Sequence, residues 1–214
     1  MTLPLPVRNR LAELILDAFR EGNARAVLET LLRYCEGHVL MSDALPAGFP
    51  VEFFTPWQDR LALKGAYRPF HDEIGERVGR AWTVVKDRPL SDHEPSLRQV
   101  LSEAAALFDA RLAFEVHELL EPFWMRAEGQ VKETLQGLIQ VAVGYHHLAN
   151  DNVSGAQMLL EEGSARLLGQ RLEDLDFHTF AVAVRQSLET VNQLGAEASL
   201  KFDWSRTPKF PRAH

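Results

Sequence analysis

Between Phe108 and Ala156 the chain twice places polar side chains where an amphipathic helix should be apolar: Glu115, His117, Glu118 and Glu121, then Gln136, Gln140 and His147. At 100° per residue, His117, Glu121 and Trp124 fall within about 60° of one another. Gln136, Gln140, Val143 and His147 share a similar arc of the following helix. His117-Glu118-x-x-Glu121 resembles the zinc-protease HExxH signature with glutamate in place of its second histidine. An imidazole and a carboxylate four residues apart can share one metal ion, and His147 across the bundle is the candidate third ligand. In that set His117, Glu121 and His147 bind a single divalent ion, zinc, iron or manganese, and Glu118 acts as general base on a bound water.

The same residues support a different chemistry. The facing stripe offers Gln136 and Gln140 where di-iron bundles carry carboxylates, so a dinuclear centre is disfavoured. Neutral amides supply donors and an acceptor to a carboxylate, and a network of His117, Glu118, Glu121, Gln136, Gln140 and His147 locks a fold or holds a small polar ligand. Trp124 shares the face and reads as core packing with an indole N–H that needs one acceptor. Glu115 lies about 120° from Glu121 around the helix, so it is expected to cap an element or pair with an arginine. His146 points about 100° away from His147 and is expected at the surface. Asn152 reads as a cap or turn former. No phosphate-binding glycine loop, nucleophile elbow or CxxC is present, which disfavours nucleotide chemistry.

Phe108, Phe114-Glu115-x-His117-Glu118-x-x-Glu121-x-x-Trp124, Gln136-Gly137-Leu138-Ile139-Gln140-x-Ala142, His147, Asn152 and Gly155-Ala156 together resemble the bacterial and archaeal family known as domain of unknown function 309. The resemblance covers roughly residues 97 to 170. It implies a compact all-α bundle around a polar centre, and it implies no particular reaction. The family usually has glycine at the turn where this chain has Arg111. Residues 1 to 90 resemble no family.

Composition excludes several classes. At 214 residues the chain forms one large domain or two small ones. A net charge of −7 argues against nucleic-acid backbones and anionic membranes as partners. The single cysteine, Cys35, excludes an internal disulfide, fits a reducing cytoplasm, and sits on an apolar face as an inert core thiol. The first residues lack the apolar stretch of a secretion signal and no run is long enough to span a bilayer, so a cytoplasmic protein is expected.

These side chains must be positioned by helices. Val7, Leu11, Leu14, Ile15, Ala18 and Phe19 make one apolar face, and after Gly22, with Asn23 as cap, Val27, Leu28, Leu31, Leu32 and Cys35 make another. Gly37 to Trp57 reads as an irregular connection anchored by Phe49, Phe53, Phe54 and Trp57, which are expected to pack on the body or at a homodimer interface. A short helix is expected near 58–65 and a longer one through Phe70, Ile74, Val78, Ala81 and Trp82, whose His71, Asp72 and Glu76 form a solvated face. Lys86 to Asp92 reads as a linker, with Ser91 or Asp92 as cap for a helix near Pro95. Helices then follow over about 97–108, 112–126 with Pro122 inside, 131–149, from 154, and 176–194. Gly137 and Gly144 lie mid-helix, where close packing is the plain explanation.

The expected protein is therefore all-α: a helical segment over 1–90, a bundle over 91–198 with a buried polar centre, and an extended tail over 199–214. Its function reads either as a non-catalytic helical protein whose polar centre holds a small polar ligand, or as a mononuclear metal-dependent hydrolase.

Overall fold

The computed structural model describes residues 2–38, 44–91 and 94–212. They fall into two compact units, residues 1–94 and 95–214. Helices dominate both, so the chain is all-α, with only two short strand pairs among the described residues. No helix of the described residues is long and apolar enough to cross a membrane.

In the first unit α1 (Leu5–Asp17) buries Val7, Leu11, Leu14 and Ile15, and α2 (Gly22–Cys35) buries Ala24, Val27, Leu28 and Leu31. The spacing is that of a helix pair sharing apolar stripes. Asn23 is not the cap: Glu21 holds that position, and the Asn23 amide instead donates to the Ala47 carbonyl at 2.7 Å. Arg25 takes up the Ala18 carbonyl just past the end of α1, at 2.7 Å, satisfying one of the carbonyls a helix end leaves open.

The helix expected near 58–65 is a hairpin instead. Strand β1 (Phe54–Trp57) pairs antiparallel with β2 (Arg60–Leu63), with Phe54 opposite Leu63. Gln58 turns the chain at φ 55, leaving a two-residue connection, and the open end of the ladder is tied down: Leu63 N–H donates to the Tyr34 hydroxyl at 2.9 Å and Lys64 N–H to the Phe53 carbonyl at 2.9 Å. Strands this short show too little alternation to read from sequence. Phe49, Phe53 and Phe54 are buried, whereas Trp57 is 58% exposed beneath the Arg68 guanidinium. Of the connection expected over Gly37 to Trp57, residues 39–43 lie outside the described residues. Helix α3 (His71–Val85) closes the unit with Ile74, Val78, Ala81 and Val85, and packs on α2 where Gly75 sits against Cys35.

The second unit begins with α4 (Leu97–Asp109), capped by Ser96, whose hydroxyl accepts from Gln99 N–H. Ser91 does not cap it; its N–H donates to the Phe19 carbonyl, and Asp92 lies outside the described residues. Arg111 makes the next turn at φ 59 before α5 (Ala113–Arg126), which runs through Pro122 without stopping. Next come α6 (Gly129–Ala149) and α7 (Val153–Leu167), the latter capped by Asn152 through Gly155 N–H. Their close packing explains the mid-helix glycines: a Cβ at Gly137 would come within 2.9 Å of Leu167 and one at Gly144 within 2.9 Å of Leu160.

A second hairpin, β3 (Arg171–Leu172) with β4 (Leu175–Asp176), precedes α8 (His178–Leu194). The helix therefore starts two residues later than Asp176, whose carboxylate accepts from His178 N–H at 2.8 Å. The tail carries a short helix, α9 (Ala198–Lys201), and then packs onto the bundle. Phe210 lies against Phe108, Phe177 and Phe180, and Asp109 accepts from Phe210 N–H and from Arg212.

Candidate functional site

Helix α5 carries the chemistry-bearing cluster. His117, Glu118 and Glu121 each offer a ligand atom within 4.8 Å of the others, and this is the group of metal-ligating side chains of that kind among the described residues. Nδ1 of His117 lies 2.9 Å from Glu118 Oε1, and Nε2 lies 3.9 Å from Glu121 Oε1 one helical turn on. The side chains are 26%, 37% and 44% exposed respectively. They are half-buried and open to solvent on one side.

If Nδ1–H donates to Glu118, the lone pair on Nε2 faces the Glu121 carboxylate, and two electron-rich atoms oppose each other. A cation between Nε2 and Glu121 would bridge the two. That is the carboxylate–histidine–metal orientation, in which a hydrogen bond to one ring nitrogen aims the other at the ion. Ligands on a tetrahedral zinc at about 2.0–2.1 Å sit roughly 3.4 Å apart, so the 3.9 Å spacing must close by about 0.5 Å.

The stripe on α6 is not joined to this cluster. Gln140 donates to Glu162 of α7 at 2.7 Å, its own amide oxygen being buried without a hydrogen bond. His147 meets Asn152, whose Nδ2 lies 2.9 Å from Nδ1. Asn152 Oδ1 is committed to Gly155 N–H at 3.0 Å, so Nδ2 is the donor toward the ring and the His147 proton sits on Nε2. His147 Nδ1 is thereby occupied by Asn152. Among the described residues no hydrogen bond joins Glu121 to Gln136, Gln140 or His147. The helical phase explains it: α6 turns Gly137, Gly144 and the Gln140 amide to α7, Lys132 and His146 to α5, and leaves Gln136 and Val143 half-buried between.

His146 is the residue that sequence reasoning placed differently. It is half-buried, with its ring 5.6 Å from Phe114 of α5, and Phe114 lies 6.2 Å from His117. Only a choice of which flank of α6 meets α5 could have found it. Glu115, expected to cap an element or pair with an arginine, is buried in the bundle. Trp124, on the His117 face, is half-buried beneath the Lys132 ammonium at 5.2 Å.

Comparison with curated proteins and with solved structures returned no match. Residues 101–159, from α4 through α5 and α6 into α7, match the family described as Domain of unknown function (DUF309), and the segment so matched carries His117, Glu118, Glu121, Gln136, Gln140 and His147.

Proposed function

We propose that this chain is a non-catalytic cytoplasmic binding protein, and that His117, Glu118 and Glu121 hold one small polar ligand that brings positive charge to the cluster. A single divalent cation, zinc, manganese or iron(II), is the simplest such ligand. The observation that carries the reading is the position of one imidazole between two carboxylates, 2.9 and 3.9 Å away. With His147 tied to Asn152, His117 Nε2 and Glu121 are the donors to the ion, and Glu118 orients the ring from Nδ1. A net charge of −7 favours a cation over an anionic polymer as partner.

Isothermal titration of tag-free protein with zinc, manganese and iron(II) tests this. One ion per chain is expected, with affinity rising as pH rises because ion and proton compete for the ring. His117→Ala and Glu121→Gln should each abolish binding while His147→Gln leaves it intact. Absence of binding by all three ions, or equal binding to His117→Ala, overturns the reading.

The hydrolase reading draws on the open side of the cluster, where a bound water meets solvent. It asks Glu118 to act as base while Glu118 orients His117. Hydrolysis of a generic ester or phosphoester that is metal-dependent and lost in Glu118→Gln, with metal binding kept, would establish it over the non-catalytic one.

A further inference from the structure

Helix α4, the β3–β4 turn and the tail enclose a cavity of about 380 Å³ in the second unit. It shares no residue with the His117 cluster. Its size falls within the range of small-molecule sites, and its walls are fixed independently of any occupant. The tail wall is pinned by Phe210 among Phe108, Phe177 and Phe180, and by Arg212 on Asp109 at 2.7 Å. The turn wall is set by the Arg171–Asp176 and Leu172–Leu175 pairing. Glu173 within that turn takes φ 53, a left-handed conformation that costs a side-chain-bearing residue about 1–2 kcal/mol. Such a residue marks a place where backbone geometry is held against local preference.

The lining is divided by charge. Arg98 and Arg212 bring two guanidiniums, Glu173 and Asp174 two carboxylates, and Leu175 with Pro211 an apolar patch. Arg98 pairs with Asp174 and lies 3.8 Å from Glu173. All three side chains are solvent-exposed or nearly so, and exposed pairs contribute little net stability. A competing carboxylate can therefore take Arg98 at small cost. A simple anion would leave the two acidic side chains beside its own charge, and a simple cation would face the Arg98 guanidinium, Arg212 being held by Asp109. A molecule with both charges satisfies each half: its carboxylate replaces Asp174 on Arg98, and its ammonium takes the released acidic side chains.

We propose that this cavity binds a small zwitterion of the α-amino-acid type, with carboxylate on Arg98, ammonium on Glu173 and Asp174, and a short aliphatic side chain against Leu175 and Pro211. Titration calorimetry of the full chain with L-valine, isovalerate and isobutylamine tests the charge pattern, since the last two are valine without its ammonium and without its carboxylate. Valine is expected to bind in the millimolar range or tighter, and each analogue about tenfold or more weaker. Arg98→Gln and Glu173→Gln should each weaken valine by about tenfold or more. Both side chains are exposed, so melting temperatures should change little. Amide chemical shifts of the unaltered protein supply a check that needs no variant: added valine should move Ser102 and Leu175. No heat with valine, equal binding of isovalerate, unaffected variants, or shifts elsewhere than at these walls each overturns the proposal.

Discussion

Gln140 of α6 gives its amide to Glu162 of α7 at 2.7 Å, and not to Glu121 of α5. The bond lies at the surface of the helix pair, and the opposite end of the same amide is buried without a partner. Gln140→Leu removes a useful hydrogen bond and an unsatisfied oxygen together, effects of opposite sign and each about 1 kcal/mol. The substitution should be close to neutral. In double-mutant cycles followed by urea titration, Gln140 should couple to Glu162 by about 0.5–1 kcal/mol and be additive with Glu121. Coupling to Glu121 instead would mean that the α5 and α6 stripes touch.

The helix pair α6–α7 is also sensitive at its glycines, to different degrees. A Cβ at Gly163 would meet backbone, the Gly137 carbonyl oxygen at 2.8 Å and Val141 N at 2.9 Å. At Gly137 the nearest atoms belong to the side chains of Leu167 and Arg166, of which Leu167 can shift by a change of rotamer. Alanine regains about 1 kcal/mol of helix propensity at either position, so the difference comes from the clash: Gly163→Ala should cost about 1–3 kcal/mol and Gly137→Ala less. Thermal melts of the two variants compare them directly, and a larger loss in Gly137→Ala would contradict the packing.

Arg111 turns the chain between α4 and α5 at φ 59, where a Cβ is unfavourable. Glycine at this turn removes that strain, at some loss of chain stiffness in the unfolded state. Arg111→Gly should stabilise by about 0.5–1 kcal/mol, and Arg111→Val should destabilise by more than about 1 kcal/mol. The order of the three melting temperatures is the measurement.

Burial pushes the Cys35 thiol up to about 11, with the Glu36 and Asp72 carboxylates adding to the shift. Its folded value lies above the unfolded value of about 8.5, so the folded state holds the proton longer. The associated stability is complete below about pH 8.5 and is lost as pH rises toward the folded value. Stability should decline over that interval by the release of one proton, and Cys35→Ala should remove this part of the decline. Iodoacetamide should modify native Cys35 far more slowly than the unfolded chain at neutral pH.

The helices were legible in the sequence because each buries a long stripe at regular spacing: Val7 to Ile15 in α1, Ile74 to Val85 in α3, Val100 to Phe108 in α4. The two hairpins were not, since strands of four and two residues carry almost no period and depend on backbone turns at Gln58 and Glu173. At the site, His117, Glu118 and Glu121 were legible together because a single helix fixes their spacing. The partners of Gln140 and His147 were not. They depend on which flank of α6 meets which neighbour, and the stripe at Gln136, Gln140 and His147 lies between both flanks. The Asn152 amide decided the matter for His147 by fixing its tautomer.

The place of Phe210 has a consequence for the order in which the second unit assembles. Its N–H reaches Asp109 across 101 positions of sequence, and closing a flexible loop of that length carries an entropic cost of about 4 kcal/mol beyond the constant for any closure. The hairpin of α6 and α7 closes over a few residues and carries little. During synthesis α4 through α8 emerge while Phe108 and Phe180 still lack their third aromatic neighbour, so an apolar cleft stays open to solvent until residue 210 leaves the ribosome. Nascent chains stalled short of that point should bind hydrophobic dyes or chaperones, and those stalled well beyond it should not.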